Sequence, residues 1–89
     1  MSDWMKSSVL DNQFKFLLAD LDTALTFIDI ANTTGNEEMR QRNAQNARCA
    51  YDTVVQLMQR IPLDDVQKKQ IRKKLTLLRT RLEAVGQWF

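Results

Sequence analysis

The sequence predicts an all-α protein, a three-helix antiparallel bundle whose chain runs up, down and up. Three segments repeat apolar residues at intervals of three and four, which is the period of one helix face. The 89 residues include only two glycines and one proline, too few for the turns of an all-β fold. A chain of this length forms a single helical domain, residues 1–89, with a modest core.

The first predicted helix, helix A, covers about residues 8–32. Residues 1–7 are either a loose arm or an extension of the same helix. The core face of helix A consists of apolar residues at helical spacing: Phe14, Leu17, Leu18, Leu21, Ala24, Leu25, Ile28 and Ala31. A helix with one apolar face of this kind buries that face against its neighbours.

A second apolar set lies on helix A, well away from its core face. This second stripe consists of Val9, Phe16, Thr23 and Ile30, spaced seven apart, with Phe27 beside them. In a three-helix bundle one helix meets both neighbours through a single broad wedge, so a stripe opposite that wedge faces water. Apolar residues exposed in such a row indicate a partner-binding surface. The alternatives are that helix A is sandwiched, or that a folded-back N-terminal arm covers the stripe.

Helix B covers about residues 36–61. Thr34 and Glu37 form a capping-box pattern at its start, and Asn36 is the alternative cap. Its core stripe has small alanines in the first half and larger residues in the second, so neighbours approach most closely along the first half. The stripe consists of Met39, Asn43, Ala47, Ala50, Val54, Leu57, Met58 and Ile61. Pro62 ends the helix because it disfavours helical geometry in the residue before it.

Helix C covers about residues 64–86. Asp64 is the expected cap, with Gln67 reaching back to it, and Gly86 is well placed as the residue that follows the helix end. Its core face is formed by Ile71, Leu75, Leu78, Leu82 and Val85. The short connection between helices B and C favours antiparallel packing of these neighbours.

Four residues leave alternatives open. Asn43 and Arg40 fall in or beside the apolar stripe of helix B, where an unpaired polar group costs about 1–3 kcal/mol. We expect Asn43 to bind a backbone group and Arg40 to reach an acidic residue; the alternative is a polar recognition patch.

Trp88 and Phe89 form an aromatic pair at the end of the sequence. They either pack as a staple against the end of the bundle or remain exposed and bind a partner.

Helices A and C carry opposite charge. Residues 11–31 hold one basic and four acidic residues, a net of −3, and residues 64–86 hold seven basic and three acidic residues, a net of +4. The first and third helices of an up-down-up bundle run parallel and can touch. We therefore expect the opposite charges to help set their packing.

The composition argues against an enzyme. There is no histidine, which removes the commonest general base and the commonest metal ligand. A glycine-rich phosphate loop, a nucleophile elbow and a CxxC motif are also missing from the sequence. We expect no catalytic residue, no cofactor, no metal and no small-molecule substrate. The single Cys49 cannot form an intramolecular disulfide, although the neighbouring Arg48 leaves a reactive, redox-sensing thiol as a hypothesis.

The hydropathy pattern predicts a cytoplasmic protein with no membrane partner. No apolar run approaches the roughly 20 residues needed to cross a bilayer. The first residues lack the basic and apolar regions of a secretory signal.

Helix C offers an alternative function, nucleic-acid binding. Its basic side chains attract phosphates, and the candidate contacts are Lys68, Arg72, Lys73 and Arg79. The seven basic residues wrap around the helix instead of forming one track. This arrangement favours a solvated or acid-paired face over a nucleic-acid partner.

The segment NARCAYDTVVQLMQRIPLDD, residues 46–65, resembles tetratricopeptide-like helical hairpins. The resemblance lies in the spacing of Ala47, Tyr51 and Val54, followed by a proline turn at Pro62, which comes a few residues late. The three-helix plan is similar to that of microtubule-interacting-and-trafficking modules and of small bacterial helical proteins without an assigned activity. The resemblance implies peptide or protein binding between helices.

The sequence thus predicts a non-enzymatic module for protein interaction or self-association. The partner is another protein or a second copy of the chain, forming a homodimer through helix A. The predicted contacts are the second stripe: Val9, Phe16, Thr23, Phe27 and Ile30.

Overall fold

A computed structural model shows three helices that pack against one another: α1 (Ser2–Thr33), α2 (Glu37–Met58) and α3 (Asp65–Ala84). The structure describes the backbone of residues 2–89 and the side chains of residues 11–89. The predicted all-α three-helix bundle is confirmed. The helix α1 begins at Ser2, so residues 2–7 extend the first helix instead of forming a loose arm. Both α2 and α3 are slightly shorter than predicted, because their last turns open earlier.

The core lies where one face of each helix meets the other two. Among the described side chains it contains these buried apolar residues: Leu17, Leu21, Ala24, Ile28, Ala31, Ala44, Ala47, Val54, Leu63, Ile71, Leu75, Leu78 and Leu82. The first half of α2 contributes Ala44 and Ala47, whose small side chains let neighbouring helices approach closely. The predicted core faces of α1 and α3 are therefore the buried faces.

The turn between α1 and α2 is closed by side-chain caps. The side-chain oxygen of Asn36 accepts a hydrogen bond from the backbone N–H of Met39 at 3.1 Å, and Thr34 Oγ1 accepts one from the N–H of Asn36 at 3.2 Å. Asn36 is thus the cap of α2, and the capping box of Thr34 with Glu37 was wrong. Thr34 stabilises the turn that precedes the cap instead.

The two polar residues beside the stripe of α2 both find partners. Asn43 donates to the carbonyl of Met39 at 2.8 Å, as predicted. Arg40 donates to the carbonyl of Thr34 at 3.2 Å, while its distance to the Glu37 carboxylate is 3.9 Å. Arg40 thus reaches the acidic residue Glu37, as expected from the sequence, and it also binds a backbone group of the turn.

Both ends of α3 follow the sequence prediction. Asp64 accepts from the N–H of Gln67 at 2.7 Å, and the Gln67 side chain accepts from the N–H of Asp64 at 3.1 Å, which is a complete capping box. At the other end Gly86 has φ = +93°, a left-handed conformation that glycine adopts without strain. The N–H of Gln87 reaches the carbonyl of Leu82 at 3.0 Å, which closes the helix in a Schellman motif.

Two ion pairs fix the register of α1 and α3. Lys74 binds Asp22, and Arg81 binds Asp29 at 2.9 Å, with partners 52 residues apart in both pairs. A constant separation requires the two helices to run parallel, which agrees with the charge prediction. The same register places the start of α3 level with Gln13. The first turns of α1 therefore extend beyond α3, and the molecule measures 54 × 18 × 16 Å.

Candidate protein-interaction surface

The second stripe of α1 is only partly exposed. The Phe16 side chain is 63% exposed and Ile30 is 37% exposed, and Thr23 between them also faces solvent. Phe27 is half-buried and packs against the core, so among the described stripe residues it is the least available to a partner. The side chain of Val9 lies outside the described residues. Because α1 packs on α2 and α3 through its core face, Phe16 lies at the border of the contact with α2 and stays exposed.

Phe16 forms one wall of a shallow groove with the end of α2. Leu57 in the last turn of α2 and Ile61 in the connection after it also line the groove, together with Asn12 and Gln13, and its volume is about 410 Å³. The groove exists because the antiparallel packing of α1 and α2 brings the last turn of α2 beside residues 12–16 of α1. The sequence placed Leu57 and Ile61 on a core face, and only the pairing of the two helices reveals that they meet Phe16.

An uncharged row runs along the outer flank of α1. We call it the uncharged seam, and its members alternate spacings of four and three residues: Asn12, Phe16, Ala19, Thr23, Thr26, Ile30 and Thr33. Three of its hydroxyls are bound inside the helix. Thr23 donates to the carbonyl of Ala19 at 3.0 Å, Thr26 to that of Asp22 at 3.1 Å and Thr33 to that of Asp29 at 2.9 Å.

Other exposed apolar side chains escaped the sequence analysis. Val66 and Leu77 on α3 are 66% and 43% exposed, and Met39 on α2 is 44% exposed. Val66 and Leu77 lie off the core face of helix C in the sequence. Met39 was predicted on the core stripe of helix B, and that prediction was wrong because the first turn of α2 leaves its side chain in solvent. The three residues form no row with regular spacing. They are therefore useful comparison sites for the second stripe.

The basic residues of α3 are divided among different contacts. Lys74 and Arg81 are bound to α1, and Arg79 binds Glu83 at 3.1 Å. Of the remaining candidates for nucleic-acid contact, Arg72 and Lys73 line an open groove of about 530 Å³ together with Asp65, Lys69 and Thr76. Lys68 is half-buried beside them. The four predicted contacts are thus not brought together as one free basic surface, since Arg79 is engaged within the chain.

The two terminal aromatic residues take different roles. Phe89 packs edge-on against Tyr51 with ring centroids 4.9 Å apart, and the guanidinium groups of Arg48 and Arg79 lie 3.8 and 4.7 Å from its ring centroid. Such cation–π contacts stabilise an aromatic ring at the surface. Trp88 is 88% exposed. The staple expected from the sequence is therefore formed by Phe89, while Trp88 projects into solvent.

Cys49 is exposed and borders an open pocket of about 460 Å³ that Arg40 and Arg48 also line. The Nε atom of Arg40 is buried and has no hydrogen-bond partner within the described part of the chain. Nothing in this geometry supplies a base for the thiol, so a redox-sensing role for Cys49 stays a hypothesis.

Two kinds of site are missing from the part of the chain that the structure describes. Within it, no three histidine, cysteine, aspartate or glutamate side chains cluster as metal ligands would. Of the helices in that part, none is both long and apolar enough to span a membrane.

Comparisons of the chain with protein-family models, with curated proteins and with solved structures give no match. The resemblance to tetratricopeptide-like hairpins and to microtubule-interacting-and-trafficking modules therefore stays a prediction.

Proposed function

We propose that this bundle is a non-enzymatic protein-interaction module that binds another protein, or a second copy of itself, through the outer flank of α1. The observation that carries the proposal is the 63% exposure of Phe16 beside the apolar wall formed by Leu57 and Ile61. A phenylalanine left in water on a rigid helix, next to a groove, is the arrangement typical of an interface anchor.

The energetic reason is the apolar area that a partner would cover. Full burial of a phenylalanine side chain is worth about 1.5–3 kcal/mol. Ile30 adds to this on the same flank, at the opposite end of the described stripe. Two anchors on one straight helix fit an elongated partner such as another helix, whose apolar residues recur with the same period.

The cellular setting belongs to the same proposal. We place the module in the cytoplasm, where an exposed, unpaired thiol such as Cys49 is compatible with a reducing environment. The protein–protein contact itself needs no cofactor or metal.

The proposal is tested by photo-crosslinking from a defined position. A photoreactive phenylalanine analogue is placed at position 16, and in a matched control at position 66 on α3, where Val66 is equally exposed. We expect irradiation to give discrete crosslinked protein species from position 16 in the purified protein or in a lysate of its natural source. Equal crosslinking from both positions, or none from position 16, contradicts the proposal.

Nucleic-acid binding is the second candidate, and the groove lined by Lys69, Arg72 and Lys73 favours it. Binding of this origin weakens steeply with salt, because it depends on the release of counterions from phosphates. Fluorescence anisotropy of short DNA and RNA at low salt tests it, with the double variant Arg72→Glu and Lys73→Glu as the control. Absence of binding at low salt removes this candidate.

A further inference from the structure

The outer flank of α1 has the spacing of a coiled-coil seam. Phe16, Thr23 and Ile30 take the a positions of a heptad repeat, and the d positions fall on the other four seam residues: Asn12, Ala19, Thr26 and Thr33. We propose that a second copy of this chain binds there, so that two α1 helices pack parallel and in register along the uncharged seam. This inference rests on the proposed function and names the partner for the same surface.

The seam is suited to burial even though it contains threonines. The hydroxyls of Thr23, Thr26 and Thr33 are already bound to carbonyls of their own helix. Covering them therefore leaves no unpaired hydroxyl, which is the usual penalty for burying threonine. The seam also lacks charged residues from Asn12 to Thr33. No seam residue therefore brings a charge into the contact with a partner helix.

Charges beside the seam favour a parallel second copy. Lys15 takes a g position and Asp20 an e position beside it, and neither forms an ion pair with a side chain of residues 11–89. The other two g positions are Asp22 and Asp29, which are bound to α3. In a parallel, in-register dimer a g residue faces the e residue five positions later on the other helix. Lys15 of each copy then meets Asp20 of the other, twice by symmetry. An antiparallel pair would instead bring Lys15 towards Asp29, which is already bound to Arg81.

The residue types along the seam also fit two helices. β-branched residues at a positions favour two-stranded assemblies, and Thr23 and Ile30 are β-branched. The small side chain of Ala19 at a d position lets the two backbones approach closely. At the d position of Asn12, two facing amides can each donate to and accept from the other.

The length of α1 agrees with a partner that runs along the whole helix. At 1.5 Å per residue α1 is about 48 Å long, whereas α3 is about 30 Å long. The register of the α1–α3 ion pairs leaves the first turns of α1 beyond α3. A short helical segment is only marginally stable without tertiary packing. In the sequence, Met5 and Val9 fall at the next d and a positions of the heptad repeat. The α1 helix of a parallel second copy would lie beside these turns.

The size of the molecule leaves room for a stable dimer. The whole molecule is 54 Å long and 18 Å wide, so a contact along α1 has space for the roughly 800 Å² per partner that a stable interface buries.

The first experiment is light scattering over a range of concentrations on the wild type, Phe16→Asp and Val66→Asp. We expect a wild-type dimer that Phe16→Asp weakens by about a hundredfold in Kd, because a charge enters the seam in both copies. Val66→Asp should dimerise like the wild type. Circular dichroism checks that each variant is folded, and Phe16→Ser replaces Phe16→Asp if the latter is not.

A wild type that stays monomeric at millimolar concentration overturns the dimer. Discrete crosslinks from position 16 to a different protein would then leave the proposed function standing. A dimer that Val66→Asp dissociates as strongly as Phe16→Asp also overturns the inference, because it places the contact on α3.

Disulfide crosslinking tests the orientation of the two helices. In a Cys49→Ser background, Asn12→Cys and Thr33→Cys are oxidised separately, and Asn12→Cys is also mixed with Ile30→Cys. A parallel seam gives covalent dimers of Asn12→Cys alone and of Thr33→Cys alone. An antiparallel seam crosslinks only the mixture of Asn12→Cys with Ile30→Cys, and that result overturns the parallel arrangement.

Discussion

Two flanks of α1 each carry residues at heptad spacing, but the side chains of the two flanks make different contacts. On one flank Asp22 and Asp29 are bound to Lys74 and Arg81 of α3. On the other flank Phe16 and Ile30 are exposed. The charges of Asp22 and Asp29 are therefore paired within the chain, whereas the apolar side chains of the other flank face solvent. The comparison shows that a helix with a net negative charge can still present an uncharged face to a partner.

The two flanks also act through different forces. Ion pairs that are partly exposed contribute only about 0–1 kcal/mol each, so the charged flank mainly fixes the direction and register of α3. The uncharged flank contributes little to the folded monomer, because its side chains already face water. Its effect appears only when a partner covers it.

The largest expected effect lies between the two flanks, on the buried face of α1. Ile28 is 0% exposed, so Ile28→Ala leaves a cavity, and we expect the free energy of unfolding to fall by about 2–5 kcal/mol. Urea denaturation measures this loss. If Ile28→Ala costs no more than a change on either flank, the buried face is not the main source of stability and the comparison fails.

A change on the uncharged flank should strengthen association. Thr23→Val keeps the shape of the side chain and exchanges the hydroxyl for a methyl group. A buried methyl group is worth about 0.8 kcal/mol, so two copies should lower the Kd of the dimer by about tenfold. Light scattering or analytical ultracentrifugation measures the change.

Thr80→Val is the matched control for this variant. Thr80 is exposed on α3 and donates to the carbonyl of Thr76 at 3.0 Å, just as Thr23 donates within α1. We expect the dimer Kd of Thr80→Val to equal that of the wild type. An equal gain from both variants would mean that the outer flank of α1 has no special role.

A smaller effect is expected on the charged flank. A double-mutant cycle with Asp22→Ala and Lys74→Ala should give a coupling energy of about 0–1 kcal/mol that decreases with added salt. Thermal unfolding at two ionic strengths measures it. A coupling well above this range, or one that is insensitive to salt, would show that the pair is a main source of stability.

The smallest effect is expected on the outer face of α3. Val66 is 66% exposed, and Val66→Ser should change the free energy of unfolding by no more than about 0.5 kcal/mol. The dimer Kd should also stay unchanged. A clear loss of stability would show that Val66 makes contacts beyond those of an ordinary surface residue.

The fold was predictable because local signals agreed with one another. The apolar period of α1 and α3, the capping box of Asp64 with Gln67, and the glycine at position 86 all describe local geometry. The turn between α1 and α2 was less certain, since Thr34 and Asn36 both have capping side chains. Only the hydrogen bond to Met39 distinguishes them.

The candidate site was less predictable because it depends on contacts between helices. Helical spacing alone placed Phe16 and Phe27 on one stripe, but Phe27 is half-buried against the core and Phe16 is exposed. Likewise, the sequence could not show that Leu57 and Ile61 would face Phe16 across a groove. Contacts of this kind depend on the register between two helices whose residues are far apart in the sequence.

The elongated shape of the molecule gives a simple signature in small-angle scattering. Its longest dimension is 54 Å and the other two are 18 and 16 Å. A dimer joined side by side along α1 doubles the scattering mass but keeps a maximum particle dimension close to that of the monomer. The dimer is therefore less rod-like than the monomer, because its cross-section grows while its length stays the same.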